Sequence, residues 1–165
     1  MWRNQEDGEM DQVRHVLAAA GQFPQDDTVL ARAAEIARAH RARLTIVHVI
    51  EDASGFDLAP VDMSLIQYQV RLIAQENLEA AVARLEIDVA GLGIRIEIGS
   101  PSLRLIELAN KISVDLVVMR AHQGDSILEK IIGSTTDRVI RASGIPVLVV
   151  KRPVTQAYQH VVVSI

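Results

Sequence analysis

The chain has 165 residues, 49% hydrophobic but only 3% aromatic, with a net charge of -4. That length suits one domain with a short extension. The absence of cysteine excludes a disulfide framework and thiolate-bound zinc, and the acidic balance lacks the basic footprint of a nucleic-acid binder.

With so few aromatics, the core must be built from Val, Ile, Leu and Ala. This favours helices packed on a buried parallel sheet, whose strands read as continuous aliphatic runs. Residues 1–12, with Glu6, Asp7, Glu9 and Asp11, read as a solvated tail without the apolar centre of a signal peptide. No apolar run approaches the ~20 residues needed to span a bilayer. The expectation is a cytoplasmic domain that engages neither membrane nor nucleic acid.

Residues 13–20 form a short aliphatic run bounded by Gly21 and Pro24 and predict a buried strand. Asp26 or Asp27 can cap a helix reaching His40, with Val29, Leu30, Ala33, Ile36 and Ala37 at i, i+3, i+4 spacing. Residues 43–50 predict the second strand and 51–60 a loop. A long helix is expected over 61–90, stopped by Gly91 and Gly93. Residues 94–98 are the third strand. Pro101 suits the first turn of a helix that runs to Lys111. Residues 114–119 are the fourth strand, 120–130 a polar loop grading into helix, 133–142 the last helix and 145–151 the fifth strand. Alternation of this kind predicts an α/β fold, a five-stranded parallel sheet with helices on both faces.

The domain is thus assigned to residues 13–152. Residues 153–165 read as a linker and a short extra strand. His160 and its aliphatic followers match His15 and its own in register, as the opening strand of a second repeat would.

Several segments together resemble the universal stress protein family. They are residues 31–38 leading into 42–49, then Gly99-Ser100-Pro101, 114–119, Gly133-Ser134, and 144–150. The match spans nearly the whole domain with its motifs in order. The resemblance implies a Rossmann-like five-stranded sheet, a dimer formed through the fifth strand and, in one branch, bound ATP or a related nucleotide. Tandem two-domain members also fit the C-terminal segment.

In an open α/β sheet the ligand crevice lies where strand order reverses. The order implied by the resemblance puts that point between strands one and four, at Ala20, Met119 and Arg120, with Val49 from strand two. The nucleotide-binding branch resembles a loop of Gly, two residues, Gly, nine residues, Gly, then Ser or Thr. Glycines there let the backbone approach phosphates, and the amides of a helix N-terminus hold the anion. Gly133-Ser134 is intact and Thr135 adds a hydroxyl. Arg120 and Gln123 stand where the two earlier glycines belong, Gly124 comes one position late, and Ala20 stands where the branch carries Asp.

Two readings follow. The first is a stress-response regulatory module without a cofactor, acting through dimer or partner contacts with its nucleotide loop degraded. The alternative is an ATP or other adenine-nucleotide sensor with altered phosphate contacts, in which Arg120 serves as a charged donor. A slow nucleotide hydrolase ranks below both, because no base or metal ligand is apparent. The spacing of the histidines offers no metal site. His122 lies in the candidate loop, open to either a ligand or a structural role. His48 is expected to be a hydrogen-bonded strand histidine, His15 a surface cap, Asp115 a turn residue, and Ser134 and Thr135 caps of the last helix. Residues 147–150 would lie at a sheet edge, a liability unless paired, so a homodimer through this strand is expected.

Overall fold

The computed structural model of the chain describes residues 13–52, 63–121 and 134–151. Five strands alternate with four helices: β1 (His15–Ala19), α1 (Asp27–His40), β2 (Arg43–Ile50), α2 (Met63–Arg84), β3 (Gly93–Ile98), α3 (Pro101–Lys111), β4 (Leu116–Arg120), α4 (Ser134–Ala142) and β5 (Val147–Val150). The element order matches the expectation; the bounds differ most in α2. The C-terminal segment 153–165 lies outside the described residues.

The helix α2 stops at Arg84, short of the expected residue 90, and Gly91 and Gly93 do not end it. Glu86 enters the left-handed region at φ 50°. Its amide bonds the Ala83 carbonyl while that of Ile87 reaches Val82. This is a Schellman closure. Arg41 and Ser113 close α1 and α3 in the same way. Three non-glycine closures explain why a search for glycine misplaced the end of α2.

All four neighbouring strand pairs are parallel, in the order β3-β2-β1-β4-β5. The reversal therefore falls between β1 and β4. Alternate residues of the strands serve two cores. Val16, Ala18, Leu44, Ile46 and Val118 pack under α1 and α2 with Leu30, Ala33 and Leu78. Leu17, Val47, Val117 and Met119 pack under α3 and α4 with Leu105, Leu108 and Val139. Burial on both faces is why the central strands β1 and β4 carry no polar alternation, whereas the edge strand β3 alternates Ile with Arg95 and Glu97.

The start of β1 is fixed by side chains. Asp115 accepts the amides of Arg14 and His15 at 2.8 and 2.9 Å, so it anchors β1 beside β4 rather than merely turning the chain. His15 is not a surface cap: it is buried, with Nε2 2.8 Å from Thr45 Oγ1 and Nδ1 3.1 Å from the Ile112 carbonyl. Since a carbonyl can only accept, Nδ1 carries the proton and Nε2 accepts from the Thr45 hydroxyl.

Burial pushes the pKa of His15 below its ordinary value near 6.5, and the nearby Arg43 guanidinium acts in the same direction. The Ile112 carbonyl and Asp115 oppose them. A depressed histidine pKa means that the unfolded chain binds the proton more readily. Its contribution to stability is complete above about pH 6.5 and is lost as pH falls towards the folded value. Chemical denaturation from pH 7.5 to 5 should show falling stability, with a shallower slope in His15→Gln. Equal slopes would remove His15 as the cause.

The two sheet edges are treated differently. On β3, the Ile96 carbonyl accepts Arg71 Nη2 at 3.0 Å and the Ile98 carbonyl accepts Arg104 Nε at 3.0 Å. Long cationic side chains laid on an edge strand block pairing with another chain. No such side-chain cap lies on β5 among the described residues.

Candidate functional site

A cavity of about 680 Å³ opens at the carboxyl ends of β1, β2 and β4. Parallel strands all deliver their C-termini to this side, and the order reversal keeps the connections leaving β1 and β4 from covering the gap. Ala20, Val49, Met119, Arg120, Ser134 and Thr135, all expected from sequence, line it together. His122, Gly124 and Gly133 lie outside the described residues. Ser134 and Thr135 are the first two residues of α4. The next residue, Thr136, is buried and donates its hydroxyl to the Arg120 carbonyl at 3.4 Å, tying α4 to the end of β4.

The apolar wall comes from Val47, Val49, Leu105 and Met119. Besides Arg120, Ser134 and Thr135, the polar wall includes Gln22 and Asp26, which the sequence presents only as a loop residue and a helix cap. Asp26 stands at the N-cap position of α1, but its carboxylate makes no capping bond. It turns back instead: Oδ2 accepts the amides of Gly21 and Gln22 at 2.8 and 2.7 Å. Its Oδ1 pairs with Arg120 Nε at 2.8 Å. Arg120 Nη2 donates to the Gln22 side-chain carbonyl. One guanidinium from β4 thus meets one carboxylate and one amide side chain from the β1–α1 loop, across the gap between β1 and β4.

His48 also faces this cavity. Its Nδ1 donates to the Ala20 carbonyl at 3.2 Å, so the expected hydrogen-bonded strand histidine is what the fold contains. The ring lies over Gly21, where a β-carbon would overlap it. Glycine is therefore required at 21 for close approach. The spacing of residues 20–22 to 26 could have signalled a loop closed on its own aspartate. Nothing in the sequence alone could bring Arg120 to it, 94 positions later in the numbering.

Among the described residues there is no cluster of three or more His, Asp or Glu side chains that could hold a metal ion. No helix among them is long and apolar enough to cross a membrane. The cavity offers a hydrophobic slot, hydroxyls at the start of a helix, the His48 ring and one guanidinium held by Asp26, with Glu51 also on its rim. That combination can hold a small ligand with an apolar part and an anionic part.

A doubly wound five-stranded sheet with a crevice at its switch point defines the class: an α/β domain of Rossmann-like architecture. The sequence profile of the universal stress protein family matches residues 12–151, and the chain belongs to that family. It is 30% identical over 143 residues to universal stress protein A homolog 1 of Coxiella burnetii, covering 83% of this chain and 95% of that protein. It is 35% identical over 126 residues to a universal stress protein of Methanocaldococcus jannaschii, covering 73% and 72%. Among solved structures, a universal stress protein from Burkholderia pseudomallei aligns with TM-score 0.68 at 26% identity, covering 86% of this chain and 98% of that one. Two more distant folds were solved with ligands. A universal stress protein in complex with cAMP aligns at TM-score 0.59 and 23% identity, covering 85% and 98%. The Archaeoglobus fulgidus protein in complex with dAMP aligns at TM-score 0.59 and 20% identity, covering 84% and 98%.

Proposed function

We propose that this chain is a non-catalytic regulatory module of the stress response that senses an adenine nucleotide in the crevice between β1 and β4. The single observation that carries this reading is the cavity of about 680 Å³, which joins an apolar slot to Arg120, Ser134 and Thr135. Two structural neighbours were solved with adenine nucleotides, cAMP in one case and dAMP in the other, and ligand chemistry of that size suits the cavity. The altered glycine pattern changes how phosphate is held, with a side-chain cation replacing backbone amides.

A second reading rests on the ion pair itself. Asp26 and Gln22 already engage Arg120, and on this reading the pair closes the crevice and the domain signals through protein contacts alone. Calorimetric titration of folded protein with AMP and ATP, with and without magnesium, separates the two. A saturable isotherm without turnover supports the sensor. A flat trace leaves the contact-only module.

Both readings use an assembly. The β3 edge is blocked by Arg71 and Arg104, whereas β5 offers Val147–Val150. We propose pairing of two copies along β5 in a homodimer. The β4–β5 register directs the Pro146 and Val150 carbonyls towards β4, so the alternation of a parallel ladder turns the Val149 amide outward. Val149→Pro removes that outward donor at an edge position where proline is tolerated. Sedimentation should show the wild type as a dimer and the variant as a monomer; an unchanged dimer would place the interface elsewhere.

A further inference from the structure

The first half of α2 is amphipathic the wrong way round for a helix packed on a sheet. With about 3.6 residues per turn, Leu65, Leu72 and Ile73 fall on the side opposite Arg71, Ala74 and Leu78. That second side faces the body: Ala74 and Leu78 are buried, and Arg71 Nη2 donates to the Ile96 carbonyl of β3 at 3.0 Å. A surface helix normally turns its apolar stripe inward and its polar residues outward. Here Leu72 is 48%, Leu65 55%, Ile73 57% and the neighbouring Tyr68 64% exposed. Recesses flank this ridge. Ile66 and Val70 meet Ile50 and Ile98 in one of about 90 Å³, and Tyr68 and Leu72 border another of about 370 Å³ along Ile94 and Ile96. A ridge between grooves is the shape against which a second helix packs.

We infer that this ridge is a self-association face, on which α2 of a second copy packs antiparallel about a two-fold axis at Gln69. Charge selects the occupant. Arg71 is the only charged residue from 64 to 73, and it is turned inward. Further along, the same outward side carries Glu76 and Glu79, both exposed, which would repel an anionic membrane surface. Two copies of an acidic chain meet with least repulsion at an uncharged patch. Gln69 lies on the ridge midway between Leu65 and Ile73. An antiparallel pair centred there lays apolar half on apolar half and holds the two Glu76 residues about 20 Å apart along the axis. A parallel pair would set each of these glutamates beside its counterpart. Such a two-fold contact is self-complementary and closes after two copies.

The ridge exposes on the order of 500 Å² of apolar surface, the upper end of what a monomer leaves bare as one patch. With its polar rim it reaches the small end of specific interfaces, so pairing is weak, with a Kd on the order of 100 µM. The α2 helix packs on β3, at the opposite edge of the sheet from β5. The two faces therefore act independently: dilute protein keeps whatever assembly β5 forms, and concentrated protein doubles it through α2.

Sedimentation from about 5 µM to about 500 µM spans the expected Kd. The wild-type mass should double over that range. Leu72→Glu combined with Ile73→Glu, both at exposed positions, should keep the dilute mass throughout and unfold at the wild-type denaturant midpoint. A second measurement does not depend on that variant. The chain has no cysteine, so Gln69→Cys and Glu76→Cys each introduce a single thiol. A disulfide needs Cα atoms within about 7 Å, so oxidation of concentrated protein should cross-link Gln69→Cys at least about tenfold faster than Glu76→Cys. The same dilution series in Val149→Pro isolates α2 from β5: doubling of its dilute mass, lost when the two glutamates are added, supports the α2 face whatever β5 does. A mass independent of concentration, or doubling that survives the two glutamates, overturns the face. Equal cross-linking at positions 69 and 76 overturns the antiparallel arrangement.

Discussion

Leu78→Ala is expected to destabilise the domain by about 3–4 kcal/mol, within the range for burying and then deleting a leucine in a packed core. The reason lies in how α2 is attached. Residues 64–73 of this helix are all exposed, including Leu65, Tyr68, Leu72 and Ile73. Its buried residues are Ala74, Leu78 and Ala81, with Val82 partly buried beside them, and only Leu78 is both large and fully buried. Polar clamps hold the far end: Arg84 pairs with Asp27 at 2.6 Å, and Arg38 donates to the carbonyls of Glu86 and Asp88. These clamps are exposed and contribute little, roughly 0–1 kcal/mol for such an ion pair. Removing the Leu78 side chain should therefore loosen α2 before the rest. Urea unfolding gives the total, and amide exchange should rise first in α2. A loss below about 1 kcal/mol would mean that the site collapses around the deletion.

The second large effect is expected at Asp26. Asp26→Ala leaves the Gly21 and Gln22 amides without their acceptor and Arg120 without its carboxylate, with only the Gln22 side chain remaining to it. Hydrogen bonds to a charged group contribute about 1.5–3 kcal/mol each when made in a buried site. Arg120 is partly solvated and regains water, so the sum is discounted. A loss of about 2–4 kcal/mol is expected in denaturant unfolding. Arg120→Ala should cost less, about 1–2 kcal/mol, because the carboxylate keeps both amides. In the double variant the cost should approach that of Asp26→Ala alone, since the pair contributes once. Strict additivity would show that the two side chains act independently.

The element order could be read directly because its cause is local. Aliphatic runs of four to eight residues separated by helical periodicity specify buried parallel strands joined by helices. The family resemblance added the strand order, and with it the switch point. Helix ends were read less well. The closures at Arg41, Glu86 and Ser113 use non-glycine residues in the left-handed region, where composition gives no signal. His15 was misread for a related reason: its burial depends on Thr45 and Ile112, residues 30 and 97 positions away.

The candidate site divides along the same line. The sequence placed Ala20, Val49, Met119, Arg120, Ser134 and Thr135 at strand ends or a helix start, which parallel topology delivers to one side of the sheet, and the family resemblance supplied the strand order that brings them to one crevice. Set beside the resembled family's loop pattern, it also shows arginine in place of glycine. Only the tertiary structure decided what that arginine does. Asp26, which the sequence presents as a helix cap, instead folds back on Gly21 and Gln22 and meets a guanidinium from the far side of the switch point. The partner of a charged side chain is set by distance in space, and backbone periodicity carries no record of it.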